Sequence, residues 1–209
     1  MNTLLLQESA VLRYLRGFAC ILIVACHFCQ SSGLLEYTFL LNIGVQIFFC
    51  ISGFLYGHKE ISSWREWGIG RMKKLYLPFI LFCLPVIVYV AICYGGITWI
   101  NYLAYLTMGQ VVFGEVLQLA HLWFISAIVI CYLITPVLQK IRKWSDIALI
   151  VLIIATIIEY AFIRFRLFHY SWLFLYSFAY LYANSRYKKV YAVLSALIMM
   201  WIVACFDIS

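Results

Sequence analysis

Residues 16–27 read RGFACILIVACH, and this stretch decides how the rest of the chain is interpreted. The residues between Arg16 and His27 are apolar or small, which is typical of a helix that crosses a membrane. Eleven positions make just over three helical turns, so both side chains project from nearly the same face, about 16 Å apart along the axis. Ionisable groups in hydrocarbon are costly and usually face a polar cavity, a partner or a substrate path. The pair predicts a functional site; the alternative is that each residue only marks one end of the span.

The composition is that of a polytopic membrane protein. The chain has 67% hydrophobic and 11% charged residues and a mean hydropathy of +1.00, which excludes both a soluble domain and a disordered chain. Apolar runs that can cross a hydrocarbon core of roughly 30 Å lie at 11–30, 38–57, 75–94, 120–139, 147–163 and 190–206, with a shorter aromatic run at 168–183. We expect an all-α bundle of about six to eight transmembrane helices.

The basic residues indicate the orientation of these helices. If the N-terminus is cytoplasmic, thirteen of the fifteen cations fall on the cytoplasmic side, and only Arg164 and Arg166 fall outside, as the positive-inside rule requires. The net charge of +7 therefore reflects membrane topology, and we expect no nucleic-acid partner. The same orientation makes segment 97–116 begin and end outside, which predicts an interfacial or re-entrant segment in place of a full crossing.

The chain has eight cysteines, and most of them lie singly in apolar runs, where cysteine packs as a small hydrophobic residue. Cys26 and Cys29 form a CxxC around His27, a spacing that is used in redox and zinc sites. Such sites usually lie in turns or at helix starts of aqueous domains. We therefore interpret these cysteines as packing residues and expect no metal.

Two further histidines open predicted spans. His121 precedes the run at 120–139 and His169 opens the aromatic run, so both should lie near the outer face, where His27 ends its own span. Tyr132 and Pro136 give the helix after His121 a polar, kinked character that lipid contact does not require. His121 is therefore a candidate partner of His27, whereas we interpret His169 as a coincidence.

The second predicted span carries small residues and one carboxamide. Gly44, Gly53 and Gly57 are most simply explained by close helix packing. Gln46 is different, because a carboxamide in hydrocarbon needs a hydrogen-bond partner, which a neighbouring helix or a polar ligand would supply.

The basic stretch before the third predicted span is a candidate anion site. Residues 58–78 read HKEISSWREWGIGRMKKLYLP, the pattern of an amphipathic interfacial helix with tryptophans and cations. This stretch places Arg71 and Lys74 close to Pro78, at the mouth of the span. Such a cluster binds either anionic phospholipid or an anionic cofactor, and charge alone favours membrane lipid.

Taken in order, these stretches resemble the acyltransferase 3 family of integral membrane acyltransferases. The resemblance rests on four motifs, which are the arginine and histidine of LRGFACILIVACHF (15–28), GVQIFFCISGFL (44–55), RMKKLYLP (71–78), and HLWF (121–124) followed by Tyr132 and Pro136. It covers residues 12–139 well and the remainder only as generic membrane helices. It implies a single acyltransferase domain over residues 1–209, in the cytoplasmic (inner) membrane of a bacterium.

The chain departs from the family pattern in two ways. Family members commonly carry aspartate where Gln46 stands and often where Arg13 stands, so no role for those carboxylates is expected here. Family members also have more spans than the six or seven predicted clearly here. We therefore expect a short or truncated member, and an inactive member is an open alternative.

The resemblance implies a reaction. An acyl group, most simply acetyl, passes from cytoplasmic acyl-CoA to a hydroxyl of an extracytoplasmic carbohydrate, lipid-linked sugar or related acceptor. Arg16, Arg71 and Lys74 then hold the donor phosphates by charge-assisted bonds. His27 acts on the acceptor hydroxyl as a general base or carries the acyl group itself, and His121 is an acceptor-side candidate. Acetyl-CoA is expected as donor substrate, with no resident cofactor.

Two interpretations from other functional classes stay open. A transporter or flippase would use Arg16 and His27 to line a polar path, and would move its substrate without consuming a thioester. A haem-binding membrane anchor would use His27 and His121 as axial ligands and would show a Soret band.

Overall fold

The computed structural model describes residues 3–113, 117–158 and 171–195, and every regular element in these ranges is helical. The helices are α1 (Thr3–Ser31), α2 (Leu35–Leu41), α3 (Ile43–Gly57), α4 (Trp64–Cys93), α5 (Trp99–Leu106), α6 (Gln110–Phe113), α7 (Trp123–Ile141), α8 (Ser145–Ile158) and α9 (Ser171–Asn184). Short 3₁₀ turns lie at Leu117–Leu122 and Arg142–Trp144. The predicted all-α class is confirmed.

Four stretches of the described chain are long and apolar enough to cross a membrane. They are Ala10–Ser31, Leu35–Gly57, Trp64–Cys93 and Trp123–Ile158. The last stretch contains α7, a 3₁₀ turn and α8, and so overlaps two of the predicted runs, 120–139 and 147–163. Three predicted runs, 147–163, 168–183 and 190–206, lie partly outside the described residues, and His169 lies wholly outside them. The number of spans therefore stays a prediction.

The basic stretch and the third predicted span form one continuous helix, α4. Its 30 residues extend over about 45 Å, which exceeds a hydrocarbon core of roughly 30 Å. Ser63 caps its first turn, since the Ser63 hydroxyl accepts a hydrogen bond from the Glu66 amide at 3.4 Å. The expected interfacial helix is therefore the first part of α4, which continues without a break into the predicted span.

The segment after α4 contains only short helices among its described residues. Helix α5 has 8 residues, about 12 Å, and starts with a reciprocal capping box between Thr98 and Asn101. Its buried face, with Tyr105, joins Met108 in a core cluster with Phe79 and Ile87 of α4. These lengths agree with an interfacial or re-entrant segment; residues 114–116 lie outside the described part.

The chain divides into two compact units. Unit 1 is Met1–Lys59 together with Val137–Ser209, and contains α1, α2, α3, α8 and α9. Unit 2 is Glu60–Pro136, and contains α4, α5, α6 and α7 up to Pro136.

The core of unit 1 is the contact between α3 and α9, and glycine makes it possible. A Cβ built on Gly53 would overlap the carbonyl oxygen of Tyr176, and one built on Gly57 would lie 2.5 Å from that of Tyr180. One helical turn before Gly53, the Phe49 ring lies 5.7 Å from the ring of Trp172. Contacts between helices this close come from backbone packing, as expected for small residues in membrane helices.

The same pairs show that α3 and α9 run in the same direction. Phe49 meets Trp172, Gly53 meets Tyr176 and Gly57 meets Tyr180, so the partner number rises as the α3 number rises. The charge-based topology directs both helices from outside to inside, and parallel packing agrees with it.

Gly44 plays a similar part between α3 and α1. A Cβ at this position would lie 2.7 Å from the carbonyl oxygen of Ala19 and 3.0 Å from side-chain atoms of Leu22 and Ile23. Ala19 itself is fully buried. The packing explanation of Gly44, Gly53 and Gly57 is therefore confirmed.

We expect Gly53→Ala to destabilise unit 1 by about 1–3 kcal/mol, because the added methyl group meets a backbone carbonyl that belongs to another helix. Thermal unfolding of the detergent-solubilised protein measures the effect. Gly68→Ala is the control, since nothing lies within 4 Å of its added group. An unfolding temperature equal to that of the wild type would contradict the close α3–α9 contact.

Candidate active site

Helix α1 presents Arg16 and His27 on one exposed side. The helix is continuous from Thr3 to Ser31, so eleven positions separate the two residues by about 20° in rotation and 16 Å along the axis. Both residues are exposed within the described structure. Ala19 and Cys26 are buried and define the packed side of α1. The predicted common face of Arg16 and His27 is thus present, next to the side that packs on α3.

The surface between Arg16 and His27 includes short side chains. Nothing lies within 4 Å of a Cβ built on Gly17, and Cys20 is exposed. We name the exposed residues Arg16, Gly17, Cys20, Val24 and His27 the α1 stripe. An extended ligand can lie along this stripe with its ends at a cation and an imidazole.

Gln30 orients the imidazole of His27. The His27 Nδ1 lies 2.9 Å from the Gln30 Oε1. With the carboxamide oxygen facing the ring, the neutral His27 tautomer that makes this bond carries its proton on Nδ1 and its lone pair on Nε2. In this tautomer the basic nitrogen of His27 is Nε2, the ring nitrogen that does not face Gln30. Sequence reasoning missed Gln30, although a glutamine three residues after a histidine on a helix lies within reach of it.

The other predicted site residues belong to unit 2. Arg71 and Lys74 lie three positions apart on the first half of α4, so they project from neighbouring points of one face. Arg71 is half-buried and Lys74 is exposed. His121 lies in the 3₁₀ turn that leads into α7, and its ring meets that of Phe82 edge to face at 6.5 Å. The structure brings Arg71 and Lys74 together on one helix, as predicted, and places His121 beside α4.

A family model described as an acyltransferase domain, acyltransferase 3, matches residues 10–206. The chain belongs to the acyltransferase 3 family. The match extends beyond residue 139, where the sequence motifs end, and includes parts of both units. No curated protein and no solved structure matches the chain significantly. Membership of this family, together with the apolar helices, makes the protein an integral membrane acyltransferase in general terms.

The CxxC of this acyltransferase 3 member has the features of packing residues. Cys26 is buried and its thiol donates to the Thr38 carbonyl at 3.5 Å, while Cys29 is half-buried on the same helix. No group of three or more possible metal ligands occurs within residues 3–113, 117–158 and 171–195.

Two buried carboxamides lack partners within the described ranges. The Gln46 Oε1, in the position where the family commonly has aspartate, is buried without a hydrogen bond, and so are both amide atoms of Gln110 in unit 2. An unpaired buried carboxamide costs roughly 1–3 kcal/mol. For the Gln46 Oε1, no hydrogen-bond partner lies within the described residues, so both expected kinds of partner, a neighbouring helix and a polar ligand, stay open.

We expect Gln30→Met to lower the rate of acyl transfer by about tenfold with an unchanged donor KM, because the substitution removes the acceptor that fixes the His27 ring. Gln30→Glu keeps an oxygen acceptor and should retain most of the activity. Ser31→Ala is the control, since its hydroxyl bonds the Phe28 carbonyl. A Gln30→Met enzyme with wild-type rate would contradict the positioning role.

Proposed function

We propose that this acyltransferase moves an acetyl group from cytoplasmic acetyl-CoA to a hydroxyl of an extracytoplasmic carbohydrate, such as a lipid-linked sugar, at the inner membrane of a bacterium. The α1 stripe supports this reaction, because Arg16 and His27 share one exposed side of a helix that is long and apolar enough to span a membrane. Donor and acceptor lie on opposite sides of the membrane, so a site for both must extend along the membrane normal. About 16 Å of helix is roughly half of the hydrocarbon thickness.

We assign the donor end to Arg16. A guanidinium keeps its charge at any physiological pH and offers a planar fork of donors that matches phosphate oxygens. Charge placement predicts that Arg16 lies toward the cytoplasm, where acyl-CoA is present. Arg71 and Lys74, near the predicted cytoplasmic part of α4, are proposed as further phosphate ligands because they too are cations on one helix face.

We assign the acceptor end to His27. Its Nε2 lone pair takes the proton from the acceptor hydroxyl while the hydroxyl oxygen attacks the thioester carbonyl. The carbon–sulfur bond then breaks, and the CoA thiolate leaves with the proton returned by the imidazolium. The bond between the His27 Nδ1 and the Gln30 Oε1 supports this role, because a neutral ring that donates from Nδ1 has its lone pair on Nε2. In the covalent variant, Nε2 attacks the thioester carbonyl and expels the CoA thiolate; the acceptor hydroxyl then takes the acyl group, and its proton passes through the released imidazole to the thiolate. His121 is proposed as an acceptor-side residue.

We expect His27→Ala to reduce acetyl transfer by about 10²- to 10⁴-fold without loss of membrane insertion, because one exposed imidazole contributes little to a helix held by Ala19 and Gly44. The measurement is transfer of radiolabel from acetyl-CoA in membranes that contain each variant. His58→Ala is the matched control, since His58 is also exposed and bonds the carbonyl of Phe54 in its own helix. Equal transfer by wild type and His27→Ala would refute the assignment, and movement of acceptor without thioester loss would favour a transporter.

We expect Arg16→Ala to raise the acetyl-CoA KM by about tenfold or more, because a charge-assisted bond to phosphate contributes roughly 1.5–3 kcal/mol. Arg16→Lys should recover part of the affinity through charge alone. Arg13→Ala, at an exposed cation one turn earlier, is the control, and steady-state kinetics with the donor varied measure the effect. If KM stays constant and only kcat falls, Arg16 does not hold the donor phosphates.

A further inference from the structure

The C-terminal ends of α3 and α9 are joined by one side chain, Asn184. Its Nδ2 donates to the Gly57 carbonyl at 2.8 Å and to the Tyr180 carbonyl at 3.0 Å. Its Oδ1 accepts from the Arg142 Nε at 2.5 Å. All four residues belong to unit 1. A carboxamide bonded on both sides is rigid, so it fixes the guanidinium of Arg142 in one place.

Arg142 is half-buried and has no carboxylate partner among the described residues. Asp146, four positions later, accepts instead from the Ser185 hydroxyl at 2.6 Å. A guanidinium has five N–H donors, and the bond to Asn184 uses the one on Nε. The donors on the two terminal nitrogens remain available for an anion, in the fork that fits phosphate.

Tyr180 adds a second, independent feature. The residue is fully buried, and its hydroxyl has no hydrogen-bond partner in the described part of the chain. Tyr180 lies one helical turn before Asn184 on α9, and its carbonyl accepts from the same carboxamide that holds the Arg142 guanidinium. Leaving a buried hydroxyl unpaired costs roughly 1–3 kcal/mol, and an anion held by Arg142 would pair it, because the hydroxyl can donate to an anionic oxygen.

The surroundings favour an anion on balance. The carbonyl ends of α3 and α9 carry partial negative charge, which offsets part of the attraction between Arg142 and an anion. Asn184 already bonds the carbonyls of Gly57 and Tyr180, however, and α8 begins at Ser145 with its positive end. Lys140, Lys143 and Arg186 are exposed on neighbouring positions of unit 1, and the cation distribution predicts that this end is cytoplasmic.

We propose that Arg142 and Tyr180, held in place by Asn184, form a phosphate-binding site at the predicted cytoplasmic end of unit 1. The ligand is a phosphate ester, a chemistry that the acyl-CoA donor and the headgroup of an anionic phospholipid share. The site does not require that Arg16, Arg71 or Lys74 bind the donor.

Two variants and one control test the site in the purified full-length chain. Arg142→Gln removes the charge and the fork, and Tyr180→Phe removes only a hydroxyl that has no protein partner, so its fold should persist. Lys143→Gln is the control, because it removes one exposed cation from the adjacent position. Calorimetry in neutral detergent measures binding of coenzyme A. Native mass spectrometry from nanodiscs of equimolar phosphatidylcholine and phosphatidylglycerol measures retained anionic lipid.

We expect Arg142→Gln to weaken binding by about tenfold and Tyr180→Phe by about threefold or more, while Lys143→Gln changes it by less than about twofold. If Tyr180→Phe weakens the binding of coenzyme A, the donor is the source of the phosphate. If Tyr180→Phe lowers the amount of retained anionic lipid, the lipid is the source. No binding in either experiment, unchanged binding by Tyr180→Phe in both, or an equal loss in Lys143→Gln would overturn the proposal. If Arg142→Gln does not fold, Tyr180→Phe decides the result.

Discussion

The backbone contact between α3 and α9 is the interaction on which unit 1 depends. Hydrocarbon offers no hydrophobic gain for bringing two apolar helices together, so association relies on close packing. Glycine at positions 53 and 57 lets the α3 backbone touch the carbonyls of Tyr176 and Tyr180. Because Gly44 on the same helix receives α1, the helix that carries Arg16 and His27 is held by the same element.

This packing explains how charged and polar groups can be carried by a helix that spans a membrane. The packed side of α1 is made by Ala19 and Cys26, which leaves the α1 stripe uncovered by the rest of the described unit 1. An exposed arginine and histidine in hydrocarbon would be costly without a polar ligand. In the proposed reaction, the donor and the acceptor bind to Arg16 and His27 and so offset the free-energy cost of exposing these two side chains to hydrocarbon.

Much of this could be predicted from the sequence because it depends on local periodicity. The all-α class follows from apolar runs, the common face of Arg16 and His27 from helix geometry, and the role of Gly53 from its small size. The partners could not be predicted, since Gly53 meets Tyr176 and Arg142 meets Asn184 only through the tertiary fold. The continuity of α4 from Trp64 into the predicted run at 75–94 was not predicted, because a cationic stretch usually indicates the boundary of a span.

In the proposed reaction, a donor from the cytoplasm is used by a residue on α1 that lies toward the other side of the membrane. Consumption of radiolabelled acetyl-CoA, supplied from the outside to sealed membrane vesicles of either orientation, distinguishes the two sides. Inside-out vesicles should consume the donor and label an acceptor in their lumen, whereas right-side-out vesicles should leave it intact, and His27→Ala should abolish the difference. Equal consumption in both orientations, or consumption that does not depend on His27, would contradict the account.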